Sequence, residues 1–224
     1  PKLMNADKAG GPQSPLYTIN LSKGDSAKAG IVSGLSKDDR NWFGVFPLKG
    51  KLLNTRDISQ MKINNNAEIT NITKILGLET GKKYDTIDKV KKHLRYGRVL
   101  FMTDQDLDGA HIKGLCINLF QTQWPELIKM DGFIGFMNTP ILKAKKGSRE
   151  LSFYTESKYH IWKEKNNGGK GWRIKYFKGL GTSSAKEFKE YFKKKKMVTF
   201  KYDKDETWGD AIAKVVDKNR ADDR

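Results

Sequence analysis

The chain has 224 residues, of which 43 are Lys or Arg and 26 Asp or Glu, for a formal net charge of +17 at pH 7. That length buries a sizeable core as one domain or two small ones, and so basic a balance favours a polyanionic partner, most commonly nucleic acid, over a merely solvated lysine-rich surface. The single cysteine, Cys116, excludes an internal disulfide framework and suits a reducing compartment; there is also no apolar run long enough to cross a bilayer and no signal-peptide pattern at the start.

In chain order, "LYTINL" (Leu16 to Leu21) predicts a short strand, and "KGDSAKAGIVSGL" a turn leading into a helix from Asp25 or Ser26. "WFGVFPL" predicts a second strand, ended by Pro47 and followed by the basic turn "LKGK". From Ala67 onward, Ile69, Ile72, Ile75 and Leu76 recur at helical spacing, and Gly77 suits a C-terminal cap. "RVLFMTD" is apolar without alternation, as expected of a parallel strand covered on both faces. The helix after it carries Ile112, Leu115, Cys116, Leu119 and Phe120 on one stripe and breaks at "WPE". "FIGFMNTPILKAKK" and "RELSFYT" predict a long strand and a hairpin on a flank, and "KNNGGKG" an exposed loop. "SSAKEFKEYFKKKK" predicts a late helix opened by a capping box, Ser184 against Glu187, with Phe188 and Phe192 turned inward. Strands alternating with helices imply an α/β fold, a central mostly parallel sheet flanked by helices, with an additional β-rich flank.

Two strand ends carry chemistry. "DQDLDG" places Asp104, Asp106 and Asp108 at alternate positions straight after an apolar strand. Carboxylates that close repel one another unless something positive lies among them. The spacing matches the first half of an EF-hand loop, but the bidentate glutamate needed at loop position 12 is Leu115 here, and the loop leaves a strand rather than a helix. One acid there would do no more than complement the dipole of the helix that follows. Three acids at the carboxyl end of a parallel strand, where open α/β sheets bind their ligands, fit Mg²⁺ shared with a phosphate. The second strand end, "KGDSAKAG", offers free backbone N–H groups at a glycine turn, which a phosphate can accept.

"GDSAKAGIVSGL", "GVFPLKGKLLN", "NAEI", "LRYG", "MTDQDLDGAHIKGL", "NTPILK" and "KYFKGLGTS" occur in the order and spacing of type IIA DNA topoisomerases of the eukaryotic kind. The chain resembles their TOPRIM domain with its flanks, from "PKLMNADKAG" to "ADDR", and wording such as "SGLSKDDRN" points to a protist or large-DNA-virus branch. The resemblance implies a linker over residues 1–15, a TOPRIM domain over 16–145 and a C-terminal extension over 146–224 leading towards a winged-helix domain. Complete enzymes of this family cut both strands of one duplex, pass another through the gap using ATP, and reseal. A tyrosine on the winged helix attacks the phosphate, and the TOPRIM domain holds Mg²⁺, with Mn²⁺ or Ca²⁺ as substitutes, through a glutamate and the DxDxD aspartates. Carried over, Asp104 and Asp106 are the main metal ligands and catalytic with position 23, and Asp108 supports them through water or a second site. Lys49 and Lys51 are expected along the DNA backbone, Gly24, Asp25 and Ser26 close to the break, His111 and Lys113 within reach of phosphates, and Lys178 near the site with its flexible glycines.

The implied partner is double-stranded DNA, with no membrane association. The full-length protein is expected to be a homodimer using ATP, in the nucleus or at a viral replication site, and this piece a monomer. The chain is expected to be part of something larger: ATPase and winged-helix segments are not in it, and Tyr17, Tyr84 and Tyr96 lack the context of the attacking tyrosine, so the isolated piece is expected to be inactive. The family's "EGDSA" reads "KGDSA" here, which puts Lys23 in the glutamate's place, where it is expected to face Asp104 and weaken the metal site. Other TOPRIM proteins, such as primases, OLD-type nucleases and type IA topoisomerases, would share the acids without "PLKGK", "NAEI" and "KGLGTS". A non-catalytic DNA-binding or regulatory paralogue is the alternative that Lys23 supports.

Overall fold

A computed structural model describes residues 2–194 and 197–200. The first half of the chain alternates as expected. β1 (Thr18–Lys23) runs through a glycine turn into α1 (Asp25–Gly34), and a short α2 (Asp39–Trp42) leads into β2 (Phe43–Leu48). Next come α3 (Gln60–Asn64), α4 (Ala67–Leu76) and α5 (Ile87–His93), each capped at its start by a side chain, Ser59, Asn66 and Thr86 in turn. α4 ends, as its sequence predicts, on Gly77 in the left-handed conformation at φ 77°. β3 (Arg98–Met102) then precedes the long α6 (Leu107–Gln123), the short α7 (Pro125–Ile128) and β4 (Ile134–Met137).

β2, β1, β3 and β4 lie side by side in that order and all parallel, and β8 (Met197–Thr199) closes the far edge antiparallel to β4. In β3, Val99 and Phe101 point to one face, among residues of α4, α5, α6 and α7, while Leu100 and Met102 point to the other, among residues of α1 and α9 (Ala185–Lys194). A strand buried on both faces has no polar side to show, which is why its sequence reads as one apolar run. Phe120, Trp124 and Phe133 anchor the first layer, with ring centroids 5.5–6.0 Å apart and all three side chains buried. Each such pair adds about 0.5–1.5 kcal/mol beyond the area it buries. On the opposite face, α1 and α9 meet closely: a Cβ on Gly30 would stand 2.2 Å from the Phe188 ring, so the small residues of "AGIVSG" make room for α9.

Pro47 does not end β2, which continues to Leu48 in register with Lys23. β2 is an edge strand of the sheet, where a missing N–H costs no ladder bond. The long strand expected over "FIGFMNTPILKAKK" is two strands in two sheets. β4 stops at Met137, and β5 (Leu142–Lys146) pairs antiparallel with β6 (Arg149–Phe153) and β7 (Arg173–Tyr176) instead. Pro140, with no N–H to donate, sits in the crossing segment. A helix that the sequence reading missed, α8 (Glu156–Lys165), covers this second sheet with Tyr159 edge-on and Trp162 tilted against Phe153, and "KNNGGKG" follows as a largely exposed turn. The predicted capping box is present: Ser184 N–H donates to Glu187 at 2.7 Å and Glu187 N–H to Ser184 Oγ at 3.3 Å, with Phe188 and Phe192 buried beneath. The second sheet is tied to the first sheet through α9, which covers the opposite face. Lys143 of β5 has its ammonium 2.6 Å from Glu190 and 3.0 Å from Glu150, and Lys175 of β7 reaches Glu187 at 2.6 Å.

Candidate functional site

Because β2, β1 and β3 are parallel neighbours, the segments that follow them emerge along one end of the sheet. The turns "KGDSA", "PLKGK" and "DQDLDG" are those segments. Gly24, at φ 82°, bends the chain from β1 into α1 and donates its N–H to Leu48 O at 3.1 Å, which ties the first two turns together. Asp25 and Ser26 are exposed on the first turn of α1.

The three aspartates have three different environments. Asp104 faces the "KGLG" loop, accepting the Leu180 N–H at Oδ1 over 2.7 Å. Gly179 has an extended backbone, φ 166°, and is small for a steric reason: a Cβ there would lie 2.9–3.1 Å from the Asp104 carboxylate. The glycine next to Lys178 therefore serves close approach, where the sequence reading expected flexibility. Asp106 caps α6, its Oδ1 accepting from Gly109 N–H at 2.7 Å. Asp108, on the first turn of α6, is held by two ammonium groups: Lys51 Nζ lies 2.9 Å from Oδ1 and Lys23 Nζ 3.6 Å from Oδ2. A hydrogen bond and charge from Lys51, with Lys23 adding its charge, keep the Asp108 carboxyl below its ordinary value. Lys23 thus turns to Asp108, where the sequence reading set it against Asp104; its long stem carries the charge past the strand end on which it sits.

Among the described residues, no three His, Cys, Asp or Glu side chains gather as a ready-made metal cage. Asp104 and Asp106 each have one carboxylate oxygen engaged by a backbone N–H and a second left over. Two hard oxygens without a cage fit a cation that keeps most of its waters and shares a phosphate, the habit of Mg²⁺.

The remaining predicted residues divide. Lys49 is exposed beside the same turn, its N–H donating to Glu68 of the "NAEI" segment at 3.2 Å, and Lys178 is exposed on the loop that reaches Asp104. Lys113 is half-buried, with its Nζ 5.4 Å from the Phe136 ring centroid, and burial lowers its pKa. His111 is half-buried on α6. Leu180, whose backbone fixes Asp104, gave no signal in the sequence, since a main-chain donor has no residue type. Lys143 was missed because "ILKAKK" reads as a strand with a solvated lysine, whereas Leu142, Lys143 and Ala144 are all buried.

Residues 20–138 match the Toprim domain family and residues 137–224 the C-terminal associated domain of TOPRIM. Along its whole length the chain is 49% identical, over 226 residues, to DNA topoisomerase 2-beta of Homo sapiens, covering 14% of that protein. It is likewise 49% identical, over 227 residues, to DNA topoisomerase 2 of Plasmodium falciparum (isolate K1 / Thailand), covering 16% of it. The fold matches the crystal structure of the Plasmodium falciparum topoisomerase II DNA-binding, cleavage and re-ligation domain with a TM-score of 0.90 and 48% identity, over 100% of this chain and 30% of that one. The chain therefore spans a small part of the curated relatives it matches. It belongs to the TOPRIM family, in the form found with its C-terminal associated domain in eukaryotic DNA topoisomerase 2.

Proposed function

We propose that the chain is the metal-binding, DNA-cleaving segment of a type II DNA topoisomerase that acts as a homodimer, uses ATP through another segment, and works on double-stranded DNA in the nucleus. The observation that carries this reading is the meeting of "KGDSA", "PLKGK" and "DQDLDG" at one end of a parallel sheet, in a chain 48% identical to a solved DNA-binding, cleavage and re-ligation domain.

In this reading Asp104 and Asp106 hold Mg²⁺ through their remaining oxygens, and the ion, when bound, offsets charge developing on the scissile phosphate and its leaving oxygen. The chain's own residues do the positioning. The Leu180 N–H and the Gly109 N–H each take one carboxylate oxygen and so fix the direction of the other. Lys49, Lys51 and Lys178 are exposed around the same strand ends and hold phosphates as point charges. Gly24, Asp25 and Ser26 bring the turn's backbone to the DNA without a bulky side chain in the way.

Lys23 favours one second reading, a DNA-binding paralogue without cleavage activity, because an ammonium neither ligates a cation nor accepts a proton. Both readings require duplex binding, which is tested by titrating labelled duplex at several salt concentrations. Affinity should fall with salt by roughly 0.9 log units per log unit for each phosphate neutralised. A flat salt response, or no binding at low salt, contradicts both.

A further inference from the structure

Asp108 is the third acid of the DxDxD run, and the structure gives it a role that the run does not predict. Each of its two oxygens has an ammonium partner, one from the residue that ends β1 and one from the turn after β2. All three side chains are about half exposed, at 40%, 47% and 53%, so the cluster stays open to a ligand from solvent. Within this trio, two positive charges against one negative leave a net positive charge. For Asp108 to ligate a divalent cation, that cation would have to displace or sit beside both ammonium groups, and like charges that close repel. An anion meets no such barrier. Ammonium groups gathered on one carboxylate are neighbours, and a phosphate, which has several oxygens to offer, can accept from both.

We propose that Asp108 is the counter-ion that holds the Lys23 and Lys51 ammonium groups together as a metal-independent site for one nucleic-acid phosphate, and that it takes no part in holding the divalent cation. The inference rests on the DNA-binding reading above and adds to it: Lys23 turns a position that would hold metal into one that holds phosphate directly.

Two measurements on the whole chain test it. In the first, labelled duplex is titrated in EDTA against the wild type, Lys23→Gln, Lys23→Gln with Lys51→Gln, and Lys92→Gln, an exposed lysine on α5 used as a control for net charge. The double variant should lose about 0.9 from the slope of log affinity against log salt, one phosphate's share, and Lys23→Gln should weaken binding more than Lys92→Gln. Equal effects of Lys23→Gln and Lys92→Gln overturn the phosphate site while leaving the DNA reading intact; a wild type that binds no duplex at any salt overturns both. In the second, calorimetry with Mn²⁺ and no DNA compares Asp108→Asn with Asp106→Ala. Asp108→Asn should change the affinity less than about threefold, well under the factor of ten that 1.4 kcal/mol represents, and Asp106→Ala should abolish binding. A loss in Asp108→Asn as large as in Asp106→Ala makes Asp108 a ligand and overturns the proposal. Circular dichroism melts of each variant verify folding.

Discussion

Replacing Gly109 with alanine tests the geometry of the aspartate turn through the sign of its effect. Gly109 lies in the first turn of α6, where an ordinary glycine-to-alanine change stabilises by about 0.8–1.0 kcal/mol through helix propensity alone. Here the added Cβ would stand 1.9 Å from the carbonyl oxygen of Asp104, 3.0 Å from its carbonyl carbon and 3.1 Å from Thr103 Oγ1. The first two are backbone atoms, so no rotamer relieves the contact, and the Asp104 peptide must retreat by more than an ångström. Forcing atoms into a packed site costs about 1–3 kcal/mol, and so short a contact with backbone belongs to the upper part of that range, about 2–3; less a propensity gain of about 1, the net loss is about 1–2 kcal/mol. For a chain of this size that lowers the melting temperature by roughly 2–8 °C. The same shift drags Asp104 from the Leu180 N–H and Asp106 from the Gly109 N–H, so Mn²⁺ affinity should fall as well. Melts followed by circular dichroism, with calorimetry beside them, read both effects. An unchanged or raised melting temperature would show that the turn is not built as described.

Lys143→Met should destabilise by about 1–3 kcal/mol, less than the 3–5 of a fully buried pair because Glu150 and Glu190 are partly exposed; urea unfolding with no change in midpoint would refute the brace between the two sheets. Partial burial pushes Glu190 up, but Lys143 and Lys194 outweigh it and hold its carboxyl below its ordinary value. A depressed carboxylate contributes stability that is present above its unfolded value, about 4.3, and is lost as pH falls through the folded one. The melting temperature should therefore decline below about pH 4.3, more gently in Lys143→Met, and an identical acid decline in both proteins would speak against the network. Cys116 is fully buried and burial pushes its thiol well up, so a thiol reagent should label it only at the rate of global unfolding; stoichiometric labelling of the native protein would contradict the packing of α6.

Much of this was legible in the residues because local signals agreed with the tertiary outcome. Asn66 and Gly77 bound α4, Ser184 and Glu187 open α9, and the unbroken apolar run of β3 announced a strand covered on both faces. α8 was missed because "ESKYHIWKEK" carries its packing on Tyr159 and Trp162 amid charges, without a clear apolar stripe. The split of "FIGFMNTPILKAKK" between two sheets depends on which strands lie alongside each half, a long-range fact that no period of two contains. At the site, the residue types and their order along the sheet end could be read, whereas the partners could not. A lysine stem reaches far enough that Lys23 had several carboxylates available, and only the fold selects Asp108.

In the proposed function, the strand ends form a metal and phosphate site whose metal half is weakened by Lys23. Calorimetric titration of Mg²⁺ into the wild type, Lys23→Glu, and Lys23→Glu with Asp106→Ala tests this most directly. Weak binding should strengthen about tenfold or more with glutamate at position 23, a gain of at least 1.4 kcal/mol, and vanish when Asp106 is removed from that background. Equal Mg²⁺ affinity with lysine and with glutamate at position 23 would show that this position contributes nothing to the metal site, and would contradict the account at its centre.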